Sequence, residues 1–295
     1  MDYELILFDR IEVIKNANKK YDLEHNSYLS FSGGKDSTVI HYLLDMALPN
    51  NQIPRVFIDT GIEYISVKNF VLDMAKKDNR FVILKPTQNI KAILEKYGYP
   101  FKSKEHSLKV GRYQSGSRSN SIMKYKNANN RFSCPKILLY QYSDDFKIHL
   151  SNKCCYKLKK EPIHNWEKEN EKPISITGIR KDEKGERANI RYCITSRNKK
   201  TIAFHPLLVI DDQWENEFIK RNNVKLCQLY YPPYNFKRTG CKGCPYSLDL
   251  QDQLDTMAIY MPIERRQCEL IWKPIYEEYR RLNYRLTKQL SLFEN

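Results

Sequence analysis

Ser27-Tyr-Leu-Ser-Phe-Ser-Gly-Gly-Lys-Asp-Ser37 runs from an apolar stretch into a helical one through two adjacent glycines. Tyr28, Leu29 and Phe31 read as a strand, and Thr38-Val-Ile-His-Tyr-Leu-Leu44 repeats apolar residues at helical spacing. Between them Ser32, Gly33 and Gly34 let the backbone turn tightly. The N–H groups of such a turn gather into one concavity at the positive end of the following helix, which makes an anion cradle. Lys35 adds a point charge for phosphate oxygens, Asp36 can hold Mg²⁺ or orient a phosphate, and Ser37 can cap the helix and donate a hydrogen bond. The turn is not a Walker loop, which needs four residues between its first glycine and its Gly-Lys pair.

Outward from this turn the chain alternates. Residues 3–23 place Leu5, Ile6, Leu7, Ile11, Val13 and Ile14 as an amphipathic helix. A second strand is expected over 54–60, a helix over 63–78, a third strand over 81–85, a helix over 89–97, and a further strand over 174–179. Alternation of this kind predicts an α/β fold, a parallel sheet with helices on both faces and ligands at the carboxyl ends of its strands. Asp59-Thr60-Gly61 lies at such an end, where the carboxylate can reach a ribose or a metal, or cap the next helix. Arg180 and Arg187, just past the strand that ends at Gly178-Ile179, suit bidentate contacts to phosphate or sulfate. Residues 101–131 are polar and weakly periodic. They read as a mobile basic loop in which Lys102, Lys104, Lys109, Arg112, Arg118 and Lys124 can meet phosphates.

At 295 residues the chain can hold one large domain or two small ones, and 41% hydrophobic with 12% aromatic residues describes a folded protein. No run of about 18 apolar residues and no leader pattern is seen, so a cytoplasmic location is expected. The net charge of +15 calls for a polyanionic partner or substrate, or reflects a lysine- and asparagine-rich composition. Eight cysteines in such a context point to metal or redox chemistry in preference to disulfides.

Four of those cysteines come in pairs. Cys154-Cys155 is a vicinal pair, and Gly240-Cys-Lys-Gly-Cys-Pro-Tyr246 supplies a C-x-x-C whose two thiolates can point to one centre. Four thiolates suit a structural Zn²⁺ or a [4Fe-4S] cluster, and spacing alone does not separate them. Cys134, Cys193, Cys227 and Cys268 stand singly and read as packed residues.

Ser32 to Ser37 is nearly identical to the pyrophosphate loop of the adenine-nucleotide α-hydrolase (PP-loop) superfamily, whose members bind ATP or a related adenine nucleotide. Asp59-Thr60-Gly61 resembles the signature of the phosphoadenosine phosphosulfate (PAPS) reductases. Gly178, Ile179, Arg180, Glu183 and Arg187 match that family's arginine element, with Lys184 where its serine stands. Phe204-His-Pro-Leu207 resembles the passage to a C-terminal lobe, with Trp214 opening a helix. The cysteine set resembles the cluster motif of the iron-sulfur adenylyl-sulfate (APS) reductases and of a DNA phosphorothioation component. The residues after the pair, Lys157 and Lys159, only approximate its basic flank.

The resemblance implies a Rossmann-like PP-loop domain over 26–210, preceded by a helix over 1–25 and followed by a mainly helical, cysteine-bearing lobe over 211–295. It implies an enzyme that binds ATP or a related adenine nucleotide with Mg²⁺, using Ser32, Gly33, Gly34, Lys35, Asp36, Ser37, Asp59, Thr60, Gly61, Gly178, Arg180 and Arg187. Lys35, Asp36 and Arg180 are its candidate catalytic residues, and Cys154, Cys155, Cys241 and Cys244 would hold a [4Fe-4S] cluster, with Zn²⁺ the alternative. The expected outcome is adenylation of an acceptor for sulfur transfer, with DNA or tRNA and a sulfur-donating or redox protein as partners. The reductases carry a Glu-Cys-Gly-φ-His tail whose thiolate attacks sulfur, and residues 287–295 show none, so sulfite release from APS or PAPS is the second expectation. A nucleotide-sensing or nucleic-acid-binding module without turnover is the third, to which the basic Arg280-Arg281 and Arg285 would contribute.

Overall fold

Helix caps and buried apolar faces mark the elements of the computed structural model, which describes residues 2–180, 189–198 and 201–287. In chain order they are α1 (Tyr3–Tyr21), α2 (Leu23–Asn26), β1 (Ser27–Ser30), α3 (Lys35–Ala47), β2 (Arg55–Ile58), α4 (Ile65–Ala75), β3 (Phe81–Leu84), α5 (Ile90–Tyr97), α6 (Lys104–Gln114) and α7 (Asn120–Asn127). They continue with α8 (Lys153–Cys155), α9 (Glu161–Glu169), β4 (Ile174–Ile176), β5 (Ile194–Asn198), β6 (Thr201–Phe204), α10 (Asp212–Arg221), α11 (Leu250–Tyr260), α12 (Pro262–Ile271) and α13 (Lys273–Arg281). The chain divides into two units, one of residues 1–59, 63–85 and 162–240, the other of 60–62, 86–161 and 241–295.

The first unit holds one six-stranded sheet in the order β3-β2-β1-β4-β6-β5. Every neighbouring pair is parallel except β5 and β6, a short antiparallel edge that the sequence reading did not anticipate. β1 pairs Leu29 with Arg55 on one side and with Ile176 on the other. The chain leaves β1 toward β2 and β3 and returns on the opposite side as β4. The strand order therefore reverses between β1 and β4, and in open α/β sheets ligands sit outside the carboxyl ends at that reversal. Leu29, Phe31, Val39, Ile40, Leu43, Phe57, Ile176, Phe204, Trp214 and Phe218 are buried together in the core of this unit.

The strand expected over 174–179 ends at Ile176, which leaves Thr177 to Arg180 outside the ladder, at the carboxyl end of β4. α10 opens two residues before Trp214, because Asp211 accepts from the Trp214 N–H at 2.8 Å and caps it.

The second unit is helical. The stretch 101–131, expected as a loop, forms α6 and α7. Ser103 caps α6 by accepting from the His106 N–H at 3.1 Å, and the face turned inward carries His106, Ser107, Val110 and Gly111. A buried face with Val110 as its one aliphatic side chain leaves no apolar period to read, so the sequence pattern does not disclose the helix. His106 is satisfied there by Tyr125 Oη at 3.0 Å and Gln141 Oε1 at 2.7 Å. A single π-helical turn, Tyr156–Lys160, follows α8. Among the described residues no helix is long and apolar enough to cross a membrane.

Candidate functional site

The turn after β1 is shaped by one glycine. Gly33 has φ +70°, and a Cβ on it would lie 2.8 Å from both Val67 Cγ1 and Val71 Cγ2 on α4. Only a residue without a side chain fits between the turn and that helix. Gly34 then caps α3 in an extended conformation, with its N–H donated to Ser32 Oγ at 3.2 Å. Ser37 Oγ accepts from the Ser32 N–H at 3.2 Å and donates to the Gly34 carbonyl at 2.9 Å, so the loop is closed upon itself. The Lys35 N–H donates to Tyr230 Oη at 3.0 Å, and Tyr230 lies 2.9 Å from Thr239 Oγ1. The first N–H groups of α3 open on this turn without carbonyl partners from their own helix.

Two cations and three carboxylates surround the loop. Lys35 Nζ stands 2.9 Å from Glu215 and 3.4 Å from Asp212. Arg180, buried at 5% exposure, reaches Asp36 at 3.1 Å, Asp212 at 2.7 Å and Glu215 at 3.1 Å. Gly178 brings the end of β4 against the loop, since a Cβ there would lie 2.7 Å from Asp36 Cβ. Glu215 is fully buried, and its Oε1 has no hydrogen-bond partner among the described residues. Burial first, and the neighbouring Asp36 charge second, raise its carboxyl from 4.5 to about 7. Burial works against the Lys35 charge, but the Glu215 hydrogen bond and charge outweigh it and raise the ammonium.

Ser32, Gly33, Gly34, Lys35, Asp36, Ser37, Gly178 and Arg180 are thus drawn together at the β1–β4 reversal. Asp59 stands at the end of β2, paired with Lys68 Nζ at 2.8 Å. Thr60 and Gly61 belong to the second unit, where Thr60 Oγ1 accepts from the Ile62 N–H at 3.4 Å and Gly61 has φ +79°. Arg187 lies outside the described residues. Glu215, Asp212 and Tyr230 escaped the sequence reading. Asp212 and Glu215 are first-turn acidic residues of α10, a pattern that ordinarily only serves the helix dipole.

The second candidate site lies wholly within the second unit, which contains all four paired cysteines. The Cys154 thiol is raised by its hydrogen bond with Cys155, by burial, and by Cys155, Cys244 and Cys241. Cys155 is lowered, through Cys154 and against burial, with help from Lys104, Lys159 and Lys160. Burial, then Cys241 and Cys155, push the Cys244 thiol up to about 12. The four thiols therefore act on one another, and ionised together they would repel unless a cationic centre joined them. As the side chains stand, no group of three or more His, Cys, Asp or Glu among the described residues could hold a metal ion. The donor set suits an iron-sulfur cluster in kind and number: four thiols, with no carboxylate among them.

The C-x-x-C turn is fastened through its carbonyls. Trp272 Nε1 donates to the Lys242 carbonyl at 3.2 Å, Tyr276 Oη to that of Gly243, and Tyr279 Oη and Arg285 to that of Pro245 at 2.8 and 2.6 Å. Gly243 has φ +59°, and a Cβ there would sit 2.4 Å from Tyr276 Oη and 2.8 Å from Cys268 Sγ. Cys268 is buried as expected of a packed residue. Trp272, between α12 and α13, and Tyr276 and Tyr279 of α13 thus hold the backbone of the turn that carries the two thiols, as outer groups around a metal site do.

Residues 26–136 and 134–247 match the phosphoadenosine phosphosulfate reductase domain family. The chain is 27% identical over 256 residues to an uncharacterized protein of Methanocaldococcus jannaschii, covering 82% of this chain and 49% of that protein. It spans about half the length of that relative. Similar solved structures include the PAPS reductase of Candida auris in its phosphate complex, at 18% identity over 77% of this chain and 87% of that one, with a TM-score of 0.46. The FMN adenylyltransferase of Candida glabrata in complex with ATP is 14% identical over 81% and 63%, with a TM-score of 0.48. The NH3-dependent NAD synthetase of Campylobacter jejuni is 14% identical over 96% and 97%, with a TM-score of 0.43.

Two measurements test this geometry. Because the Glu215 carboxyl is raised on folding from 4.5 to about 7, the folded chain holds the extra proton across that window and loses the associated stability as pH rises through it. Calorimetry from pH 5 to pH 8 is expected to show a fall in melting temperature that is a few degrees smaller in Glu215→Gln than in the unaltered chain. Gly33→Ala should cost about 1–3 kcal/mol in urea unfolding, since it meets both a positive φ and two valine methyls. Adding Val67→Ala should return only part of that loss, because the dihedral strain remains.

Proposed function

The chain belongs to the phosphoadenosine phosphosulfate reductase domain family of the adenine-nucleotide α-hydrolase superfamily, and from that premise we propose that it activates an acceptor with ATP for sulfur transfer. The observation that carries this reading is the loop Ser32–Ser37 at the strand-order reversal, lined by Lys35 and Arg180. The backbone N–H groups at the start of α3 and the Lys35 ammonium would receive the phosphates, and Asp36 would hold Mg²⁺ with them. Arg180 would clamp the far end, with Arg187 completing that clamp.

The carboxylates set the terms on which a phosphate would enter. Lys35 and Arg180 are already neutralised by Glu215, Asp212 and Asp36, so an arriving phosphate must exchange for a carboxylate. Glu215 is the partner most ready to be exchanged, because burial already favours its protonated form. Phosphate would then take Lys35, and the Glu215 carboxyl would keep a proton instead of a cation. The charge that develops on a departing pyrophosphate is met by donors already in position, which is where such sites gain most of their rate.

In the chemical step an acceptor nucleophile bonds to the α-phosphorus as the bond from that phosphorus to the bridging oxygen breaks, and pyrophosphate leaves. A sulfide equivalent from a separate donor then displaces AMP from the activated acceptor. Cys154, Cys155, Cys241 and Cys244 would hold a [4Fe-4S] cluster, which supplies a site for sulfur or redox chemistry when bound.

Incubation with ATP, Mg²⁺ and candidate acceptors should release pyrophosphate, with AMP following once a sulfide source is added, and Lys35→Ala should slow release about a hundredfold or more. Rapid sulfite release from APS or PAPS with reduced thioredoxin would instead assign the chain to sulfonucleotide reduction. Anaerobic purification should give a brown protein with iron and sulfide in equal amounts, and Cys155→Ser should lose that absorption. One zinc per chain, without sulfide, would overturn the cluster.

A further inference from the structure

The positive charge of this protein is concentrated in one stretch of the chain. Between residues 102 and 160 there are fourteen lysines and arginines against three carboxylates, an excess of eleven out of +15 for the whole chain. Residues 241–287, in the same unit, carry seven of each sign. A lysine-rich composition would load both segments alike, and eight of the fourteen cations, against Glu105 alone, fall within residues 102–131, on α6, α7 and the turns beside them.

That surface is built, with aromatic rings set among the cations. The Arg118 guanidinium lies 3.6 Å above the Tyr113 ring, and Lys126 Nζ donates to Tyr113 Oη at 3.0 Å. Lys109 Nζ lies 4.5 Å over the ring of Tyr125. The following loop is tied to α7, since the Cys134 N–H donates to the Tyr125 carbonyl at 2.7 Å. Asn130 Oδ1 accepts from the Phe132 N–H at 2.9 Å, and the Ser133 N–H donates to the Asn130 carbonyl at 3.0 Å. This turn presents Phe132 at 71% exposure, with the Arg131 guanidinium 4.6 Å from its ring. Lys104, Arg112 and Lys124 are exposed on the same two helices. A large apolar ring held out into water by a hydrogen-bonded turn, inside a field of cations, has the form of a stacking platform beside a phosphate track.

We propose that this face of the second unit binds single-stranded nucleic acid, with Arg112, Arg118 and Lys124 meeting successive phosphates and an unpaired base stacking on Phe132. Phosphate contacts alone would take any polyanion, whereas the Phe132 ring selects a strand whose bases are free. The inference rests on the proposed function only in making a polynucleotide the acceptor, and the surface is tested without ATP, so each reading can fail without the other.

Fluorescence anisotropy of the full chain with a labelled single-stranded oligonucleotide, its duplex and heparin as competitor tests it. The single strand should bind at least about tenfold tighter than the duplex, and log affinity should fall with log salt by about 0.7 for each phosphate neutralised. Phe132→Ala should weaken single-strand binding about tenfold and leave duplex binding unchanged, with Phe132→Tyr restoring it. Arg112→Glu combined with Lys124→Glu should weaken both, at an unchanged melting temperature that shows the fold intact. Equal affinity for strand, duplex and heparin with no effect of Phe132→Ala, or binding that survives the charge reversals, would overturn the proposal.

Discussion

Gly33 stands between β1 and α4 with room for a hydrogen and nothing larger, in a backbone conformation that side chains resist. This one close approach sets the angle at which β1 becomes α3. It thereby decides where the first N–H groups of that helix point, and brings Lys35 within reach of Glu215 and Asp36 within reach of Arg180. The loop, the arginine and the carboxylates of α10 all take their positions from this turn.

Around it the charges are close to balance. Three carboxylates face two cations in a partly desolvated setting, and the most buried of them, Glu215, has an oxygen without a hydrogen-bond partner among the described residues. Buried charge that lacks full compensation is costly, and such cost is retained where an incoming group relieves it. The C-x-x-C turn of the second unit shows the opposite economy. Its carbonyls are satisfied by tryptophan, tyrosine and arginine donors, which leaves its two thiols oriented and its backbone unable to relax.

Much of this was legible beforehand, and the parts that were not share a cause. The β1–loop–α3 passage, the parallel strands and the helix at 90–97 all carry local signals, glycine pairs and apolar periods that act within a few residues. α6 and α7 carried little, because their inward faces set Val110 and Ile122 among His106, Ser107, Gly111 and Tyr125, and His106 finds its partners 19 and 35 positions along the chain. The β5–β6 edge was likewise missed, since β5 is short and largely polar and depends on the strand it joins.

Taken alone, the order of residues settles the glycine turn after β1, the alternating α/β plan and the presence of two cysteine pairs, because backbone freedom, periodicity and thiol chemistry are local properties. Folding in three dimensions decided the rest. It placed Arg180 beside Asp36 across 144 positions of chain, seated Glu215 under Lys35, set four thiols from two distant segments to act on one another, and brought lysines and arginines of α6 and α7 over the rings of Tyr113 and Tyr125. Those are effects of distance and burial, and a charge or a thiol takes its chemistry from neighbours that only the folded chain supplies.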